Sequence, residues 1–139
     1  MMMTKEIWLN LPVKDVAKSK AFFKQLGFAF NPKYGDNDMS ASLQLGEKNM
    51  IVMLFREDLF KGFTSHPVAD AKTASEILIS FDAASPADVD QMAEKVLAAG
   101  GNLFGKPQEM QGWMYGCAFA DLDGHRWNMV YMDWSKMPK

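Results

Sequence analysis

Two histidines and one cysteine are the side chains of this 139-residue chain with the widest chemical range. His125 follows Gly124 in "DLDGHRW", a turn between two apolar runs, so it could be a metal ligand, a catalytic base or part of the turn. His66 precedes a proline in "TSHPV", within a predicted connecting segment. Cys117 has no nearby residue that would lower its thiol pKa, which favours a small apolar filler over a nucleophile. Tyr115, on the same face of a predicted strand, could donate a hydrogen bond to a substrate oxygen or pack in a wall.

The composition argues against several classes of function. The net charge of −2 leaves no basic surface for nucleic acid. No apolar run approaches the ~18 residues that a membrane span needs. The opening "MMMTKEIWLN" has no apolar signal region and the single cysteine fits a reducing compartment, so we expect a cytoplasmic protein. The chain contains no Gly-rich phosphate loop and no GxSxG, HExxH or CxxC motif.

The first half of the chain predicts a strand, a helix and three further strands. In "EIWLNLPV" the apolar residues alternate with Trp8 and Asn10, which places these two on a second face of a strand. Asp15 is positioned to cap the helix predicted in "VAKSKAFFKQLGF", and Gly27 to end it. The segments "MSASLQL" and "NMIVMLF" predict two strands joined by a tight turn.

The second half predicts the same order of elements. The alternation in "SEILISF" predicts a strand with Glu76 and Ser80 on its polar face. The helix in "SPADVDQMAEKVLAAGG" has Ser85 as its N-cap and Pro86 at its first helical position. Three more strands are predicted before the C-terminus.

An internal repeat accompanies this order. "LGEKNMIVM" aligns with "DGHRWNMVYM" when Gly46 is set on Gly124. The repeat predicts two βαβββ modules, residues 1–57 and 74–139, whose sheets must each be buried. Residues 58–73 have no clear period and form a predicted connection with room for one helical turn.

Three stretches carry a resemblance to a known family: "LPVKDVAKSKAFFKQLGF", "SFDAASPADVDQMAEKVLAAGG" and "FADLDGHRWNMVYMD". In this order they resemble the vicinal oxygen chelate superfamily, which includes glyoxalase I, fosfomycin and bleomycin resistance proteins and extradiol dioxygenases. The segment "FKGFTSHPVADAKTASEILISF" further resembles an uncharacterised subgroup labelled predicted lactoylglutathione lyase. The resemblance implies an α+β fold in which two βαβββ modules form an eight-stranded incomplete barrel with the helices outside, and it implies a homodimer.

Metal-dependent members of that superfamily hold one divalent ion with His, Gln or Glu side chains from the first and fourth strands of both modules. The corresponding positions in this chain are Trp8, Met50, Glu76 and Asn128. Only Glu76 is a good ligand for such an ion, so the resemblance implies that no metal or cofactor is needed. An enzyme that uses Zn, Ni, Mn or Fe is the alternative. The resemblance also assigns His125 to the turn rather than to the site.

A ligand cavity lined by polar and aromatic strand residues is therefore expected. Glu76 is the candidate catalytic residue, either as a general base with a pKa raised by burial or as a carboxylate that faces water. Asn128 could bind a substrate or satisfy backbone groups. The expected ligand-binding residues are Trp8, Asn10, Met50, Ser80, Trp113, Tyr115, Cys117 and Asn128.

Three functions are compatible with this set of residues. The first is a glyoxalase-like protein that binds an aromatic or amphipathic small molecule, or a metal-independent enzyme acting on one. The second is a divalent-metal-dependent lyase, isomerase or dioxygenase of the glyoxalase type. The third is a non-catalytic dimeric scaffold. For all three we expect a homodimer without nucleic acid or membrane partners, and the sequence does not identify the substrate.

Overall fold

The computed structural model describes residues 2–139, which contain eight β-strands and three α-helices. In chain order these elements are β1 (Trp8–Val13), α1 (Val16–Gln25), β2 (Ala29–Phe30), β3 (Ser40–Leu45), β4 (Met50–Arg56), α2 (Glu57–Thr64), β5 (Leu78–Asp82), α3 (Pro86–Ala98), β6 (Asn102–Met110), β7 (Met114–Ala120) and β8 (Arg126–Met132). Two short 3₁₀ helices occupy Pro32–Tyr34 and Trp134–Lys136. Within this range no helix is both long enough and apolar enough to cross a membrane.

The first of two compact units extends to Ala69 and contains one four-stranded sheet in the order β1-β4-β3-β2. Strand β1 runs parallel to β4, whereas β3 is antiparallel to both of its neighbours. Helix α1 begins after Asp15, whose carboxylate accepts a hydrogen bond from the backbone N–H of Lys18 at 3.0 Å. The buried side of α1, which includes Phe22 and Phe23, packs on β3 and β4.

The second unit, Asp70–Lys139, contains a sheet of the same design in the order β5-β8-β7-β6. Strand β5 is parallel to β8, and the other pairs are antiparallel. The hydroxyl of Ser85 caps helix α3 by accepting the backbone N–H of Asp88 at 3.2 Å. Val89 and Val96 on α3 are fully buried in the packing of this helix on β6, β7 and β8.

These elements confirm the predicted α+β fold of two βαβββ modules. The boundary between the two units, at Ala69, lies inside the predicted connection 58–73. Two predicted details were wrong. Strand β5 begins at Leu78, so Glu76 precedes the strand instead of lying on it, and the connection contains the eight-residue helix α2 rather than a single turn.

Candidate functional site

One face of the first sheet carries residues of β1 and β4 that lie side by side. Asn10 pairs with Met53, and residues two positions away on each strand share their face because side chains alternate along a strand. Trp8 and Ile51 therefore belong to this face as well. On the opposite face, Leu43, Val52 and Leu54 are fully buried. The sheet thus separates a core face from a face that is open to a ligand.

A cavity of about 730 Å³ lies at this open face, and we call it the Trp8 cavity. Its walls are mostly apolar, and Trp8 is 55% exposed although it is a large aromatic side chain. Its lining residues are Lys5, Glu6, Ile7, Trp8, Tyr34, Lys48, Asn49, Met50, Ile51, Met53 and Phe55. Such a cavity can hold an aromatic or aliphatic body, with ammonium groups available for a polar substituent.

The second sheet has an equivalent open face on β5 and β8. Each module has a helix with an N-cap residue, Asp15 in the first module and Ser85 in the second. Asn10 and Ser80 precede their N-caps by the same number of residues, so they occupy equivalent positions. Ser80 pairs with Asn128, as Asn10 pairs with Met53. Within residues 2–139 the Oδ1 atom of Asn128 is buried and has no hydrogen-bond partner. A buried acceptor left unpaired is costly, so this amide is available to a ligand donor.

The pairing of β7 with β8 places Tyr115 and Cys117 on the face opposite to that of Asn128. Asn128 pairs with Ala118, so Tyr115, Cys117 and their strand neighbours at odd positions point to the other face, toward helix α3. The hydroxyl of Tyr115 donates a hydrogen bond to Asp90 on α3 at 2.7 Å, and this bond raises the pKa of Tyr115.

Cys117 is packed as a core residue. Its side chain is 4% exposed, and its Sγ donates to the carbonyl oxygen of Val89 at 3.8 Å. Burial raises the pKa of the thiol to about 11, so the reactive thiolate is scarce at neutral pH.

Two other predicted residues lie apart from the open faces. Trp113 is in the link between β6 and β7, its ring 5.5 Å from that of Trp134. Among the described residues its Nε1 has no hydrogen-bond partner. Trp113 lines neither the Trp8 cavity nor the pocket that contains Glu76. His66 is exposed just after helix α2, where its backbone N–H donates to Thr64 Oγ1 at 3.3 Å.

Glu76 is exposed and lies in a shallow pocket of the second unit, of about 420 Å³, which we call the Arg126 pocket. The pocket is lined by Ser75, Glu76, Ile77, Leu78, Phe104 and Arg126. Counting back from the helix caps, Glu76 corresponds to Glu6 of the first module, and Trp8 corresponds to Leu78. The predicted match of Trp8 with Glu76 was therefore wrong by two residues.

The predicted match of Met50 with Asn128 was wrong too. Gly46 directly follows β3, whereas Gly124 is the fourth residue after β7, so setting one glycine on the other shifts the strands. In the register of the sheets, Asn128 corresponds to Met53. Met50 starts β4 on the opposite face by alternation, although it is among the residues that line the Trp8 cavity. The sequence did not predict Arg126, Met53 or Tyr34 as site residues, although all three line a cavity. Correct strand pairing would have identified Arg126 and Met53.

His125 belongs to a tightly bonded turn between β7 and β8. The carboxylate of Asp121 accepts the backbone N–H groups of Asp123 and His125, each at 3.0 Å, and Nε1 of Trp127 at 3.0 Å. Burial raises the pKa of Asp121, while the charge of His125 and these donors act to lower it. His125 is 9% exposed and Trp127 is fully buried. The assignment of His125 to the turn agrees with this geometry.

Comparisons with known proteins support one family. Residues 5–40 match the family described as bleomycin resistance protein-like N-terminal. A hypothetical protein from S. aureus is 33% identical, with a TM-score of 0.83, over 94% of this chain and 95% of that chain. The chain has the fold of the glyoxalase/bleomycin resistance/dioxygenase superfamily, and the match of its N-terminal residues supports the same group. No sequence among the curated proteins matches it.

Two further solved structures share the fold at low sequence identity. A glyoxalase/bleomycin resistance protein/dioxygenase family enzyme from Burkholderia phytofirmans is 17% identical, with a TM-score of 0.74, over 90% of this chain and 96% of that one. A fosfomycin resistance protein from Listeria monocytogenes, solved with Mn(II) and sulfate, is 16% identical, with a TM-score of 0.68, over 94% and 92% of the two chains.

The side chains on the open faces of the two sheets do not fit a divalent ion. The paired positions hold Asn10 with Met53 and Ser80 with Asn128. Amide and hydroxyl oxygens are weak ligands without a carboxylate or imidazole beside them, and a thioether suits soft ions. Within residues 2–139 no group of three His, Cys, Asp or Glu side chains is placed to hold a metal.

Proposed function

We propose that this protein binds an uncharged or weakly polar aromatic molecule in the Trp8 cavity, without a metal ion. The observation that carries the proposal is a cavity of about 730 Å³ with Trp8, Tyr34, Met53 and Phe55 in its walls. Ligand sites of proteins typically measure ~300–1,000 Å³ and are mostly apolar with a few polar groups. The family fold combined with this lining supports binding of a small molecule over a scaffold with no ligand.

The walls suit a flat apolar body. Trp8 and Tyr34 are 55% and 46% exposed, so their rings are available for offset stacking on a ligand ring. Met53 accepts a hydrogen bond from Ser42 Oγ to its sulfur at 3.1 Å, and its flexible thioether can adapt to ligands of different outline. Lys5, Lys48 and Glu6 are the charged residues among those that line the cavity, and the rest of its lining is uncharged.

The ionisable groups that line this cavity favour binding over catalysis, because their arrangement is not catalytic. Those that line it are Lys5, Glu6, Tyr34 and Lys48, and none has a partner arrangement typical of an activated nucleophile or an acid–base pair. Glu76, the predicted catalytic residue, lies in the Arg126 pocket of the second unit. Its role as a base in a metal-independent reaction stays a prediction, as does the homodimer.

The first test is the substitution Trp8→Ala with an uncharged fluorescent probe, N-phenyl-1-naphthylamine. We expect wild-type protein to bind the probe and the variant to bind it about tenfold more weakly, because the main stacking surface is removed. The measurement is a fluorescence titration at fixed protein concentration. Trp134→Ala is the matched control, since Trp134 is 62% exposed and lies outside the cavity. Equal loss in both variants would argue that the probe binds exposed tryptophan rather than the cavity.

The metal-dependent alternative has its own test. Zn²⁺, Ni²⁺, Mn²⁺, Fe²⁺ and Co²⁺ are added to the purified protein, and metal content is measured by mass spectrometry beside the thermal unfolding curve. An ion at ~100 times its Kd would stabilise the protein by about 2.7 kcal/mol. We expect no stoichiometric metal and no such shift, because the paired positions lack carboxylate and imidazole groups. One bound ion per chain would refute the metal-free part of the proposal and make glyoxalase and dioxygenase assays the next step.

A further inference from the structure

The guanidinium of Arg126 lies over an aromatic ring in the Arg126 pocket. Its central carbon is 4.2 Å from the centroid of Phe104. Arg126 is the first residue of β8 and pairs with Leu78 on one side and Ala120 on the other. Stacking on the ring holds the guanidinium in one orientation, and the pairing of β8 on both sides fixes its backbone. The N–H edge of the guanidinium stays available to bind a ligand.

No acidic side chain of the described residues pairs with that N–H edge. Within residues 2–139 no carboxylate forms an ion pair with Arg126, and its side chain makes no hydrogen bond. Glu76 lines the same pocket without pairing with it. By contrast, Arg56, an arginine of the first unit, is bonded to Asp58 through two nitrogens at 2.7 and 2.9 Å. Arg126 is therefore a fixed cation that lacks its counter-ion.

The rest of the pocket is apolar and open. Ile77, Leu78 and Phe104 are 42%, 52% and 46% exposed, which is high for three neighbouring large apolar side chains. Water contact with such side chains is unfavourable, so a ligand with an apolar chain gains by covering them. The pocket thus combines one cation with an adjoining apolar surface.

We propose that the Arg126 pocket is a second binding site, which takes a small organic carboxylate with an apolar chain. The carboxylate accepts paired N–H bonds from the guanidinium, and the chain covers Ile77, Leu78 and Phe104. Glu76 selects for a single negative charge, because a phosphate monoester carries close to two charges at pH 7 and is repelled more strongly. This proposal does not rest on ligand binding in the Trp8 cavity.

Hexanoate is the probe, and binding is followed by the amide chemical shifts of Leu78 and Arg126 in a two-dimensional NMR titration. We expect hexanoate to bind more tightly than 1-hexanol and more tightly than hexyl phosphate, with an affinity that falls as salt is added. Equal binding of hexanol would show that the cation contributes nothing. Tighter binding of hexyl phosphate would overturn the assignment to a carboxylate.

Four variants test the roles of the side chains. Arg126→Gln should weaken hexanoate binding about tenfold or more, and Arg126→Lys should fall between it and wild type, because the charge remains but the paired donors are lost. Glu76→Gln should strengthen binding, most of all for hexyl phosphate. Lys95→Gln on α3 removes the same charge away from the pocket and should change nothing.

The outcomes separate cleanly. Glu76 is exposed, so its variant tests the pocket even if Arg126→Gln is poorly folded. Weaker binding in Glu76→Gln, or equal loss in Lys95→Gln and Arg126→Gln, would overturn the proposal. Hexanoate and N-phenyl-1-naphthylamine are titrated separately, so failure here and failure of the Trp8 cavity are distinguishable.

Discussion

Replacing Asp121 with alanine is expected to lower the free energy of unfolding by about 4 kcal/mol. The carboxylate of Asp121 accepts the backbone N–H groups of Asp123 and His125 and the indole N–H of Trp127. Alanine would leave these three donors without their acceptor, and a buried donor without a partner costs ~1–3 kcal/mol. Trp127 is fully buried, so water cannot readily replace the lost oxygen at its indole. Urea unfolding followed by circular dichroism measures the change.

Asp133→Ala is the matched control for this loss. Asp133 also accepts hydrogen bonds in a short turn, from the backbone N–H and hydroxyl of Ser135. Its side chain is 31% exposed, however, so water can take over as partner, and we expect a much smaller loss than for Asp121→Ala. Similar losses in the two variants would mean that Asp121 is not the centre of the β7–β8 turn.

The contribution of Asp121 should also depend on pH. Burial raises its pKa above the usual 3.8, so the folded protein retains this proton to higher pH than the unfolded chain. A raised pKa of an acid contributes stability that is fully present below 3.8 and is lost as the pH rises through the folded pKa. The stability difference between wild type and Asp121→Asn, which does not titrate there, should therefore shrink as the pH rises above 3.8.

Gly124→Ala is expected to cost about 3 kcal/mol through strain and overpacking. Gly124 has φ of +90°, a conformation that a side chain disfavours. An added Cβ would also lie 2.7 Å from the backbone nitrogen of Lys72 and 2.9 Å from the carbonyl carbon of Ala71. Backbone atoms cannot move aside as a flexible side chain can, so the turn or the segment before β5 must shift. Thermal and urea unfolding would measure the loss.

Gly112→Ala isolates the strain from the clash. Gly112 has φ of +80°, close to that of Gly124, but nothing lies within 4 Å of its Cβ position. We expect this variant to lose about 1 kcal/mol, from the backbone conformation alone. If both alanine variants lose the same amount, the contact of Gly124 with Ala71 and Lys72 has no energetic weight.

The fold was predictable because local signals agreed with the packing. Asp15 and Ser85 cap their helices as their side chains suggested, and Gly27 and Gly100 follow the helices with φ of +101° and +91°. Helix α2 lacked such signals, since no side chain caps its start and none of its residues is buried. Its acidic first turn, at Glu57 and Asp58, was the one available indication.

The candidate site was predictable only in part because strand pairing is non-local. Alternation placed Trp8 and Asn10 on a common face, and both belong to the open face of the first sheet. Alternation gave no information on where hydrogen bonding begins, so Glu76 was included in β5 although pairing starts only at Leu78 with Arg126. The two hairpin turns place their glycines differently, which hid the correspondence of Met53 with Asn128.

The contact at Gly124 also determines how the second module can be separated from the first. A fragment that begins at residue 74, the module limit predicted from the sequence, would lack Ala71 and Lys72. The open side of Gly124 would then face solvent instead of the backbone of those two residues. A fragment that begins at Asp70 retains both residues. The shortest fragment of the second module that folds by itself should therefore include residues that the strand and helix pattern assigns to a linker.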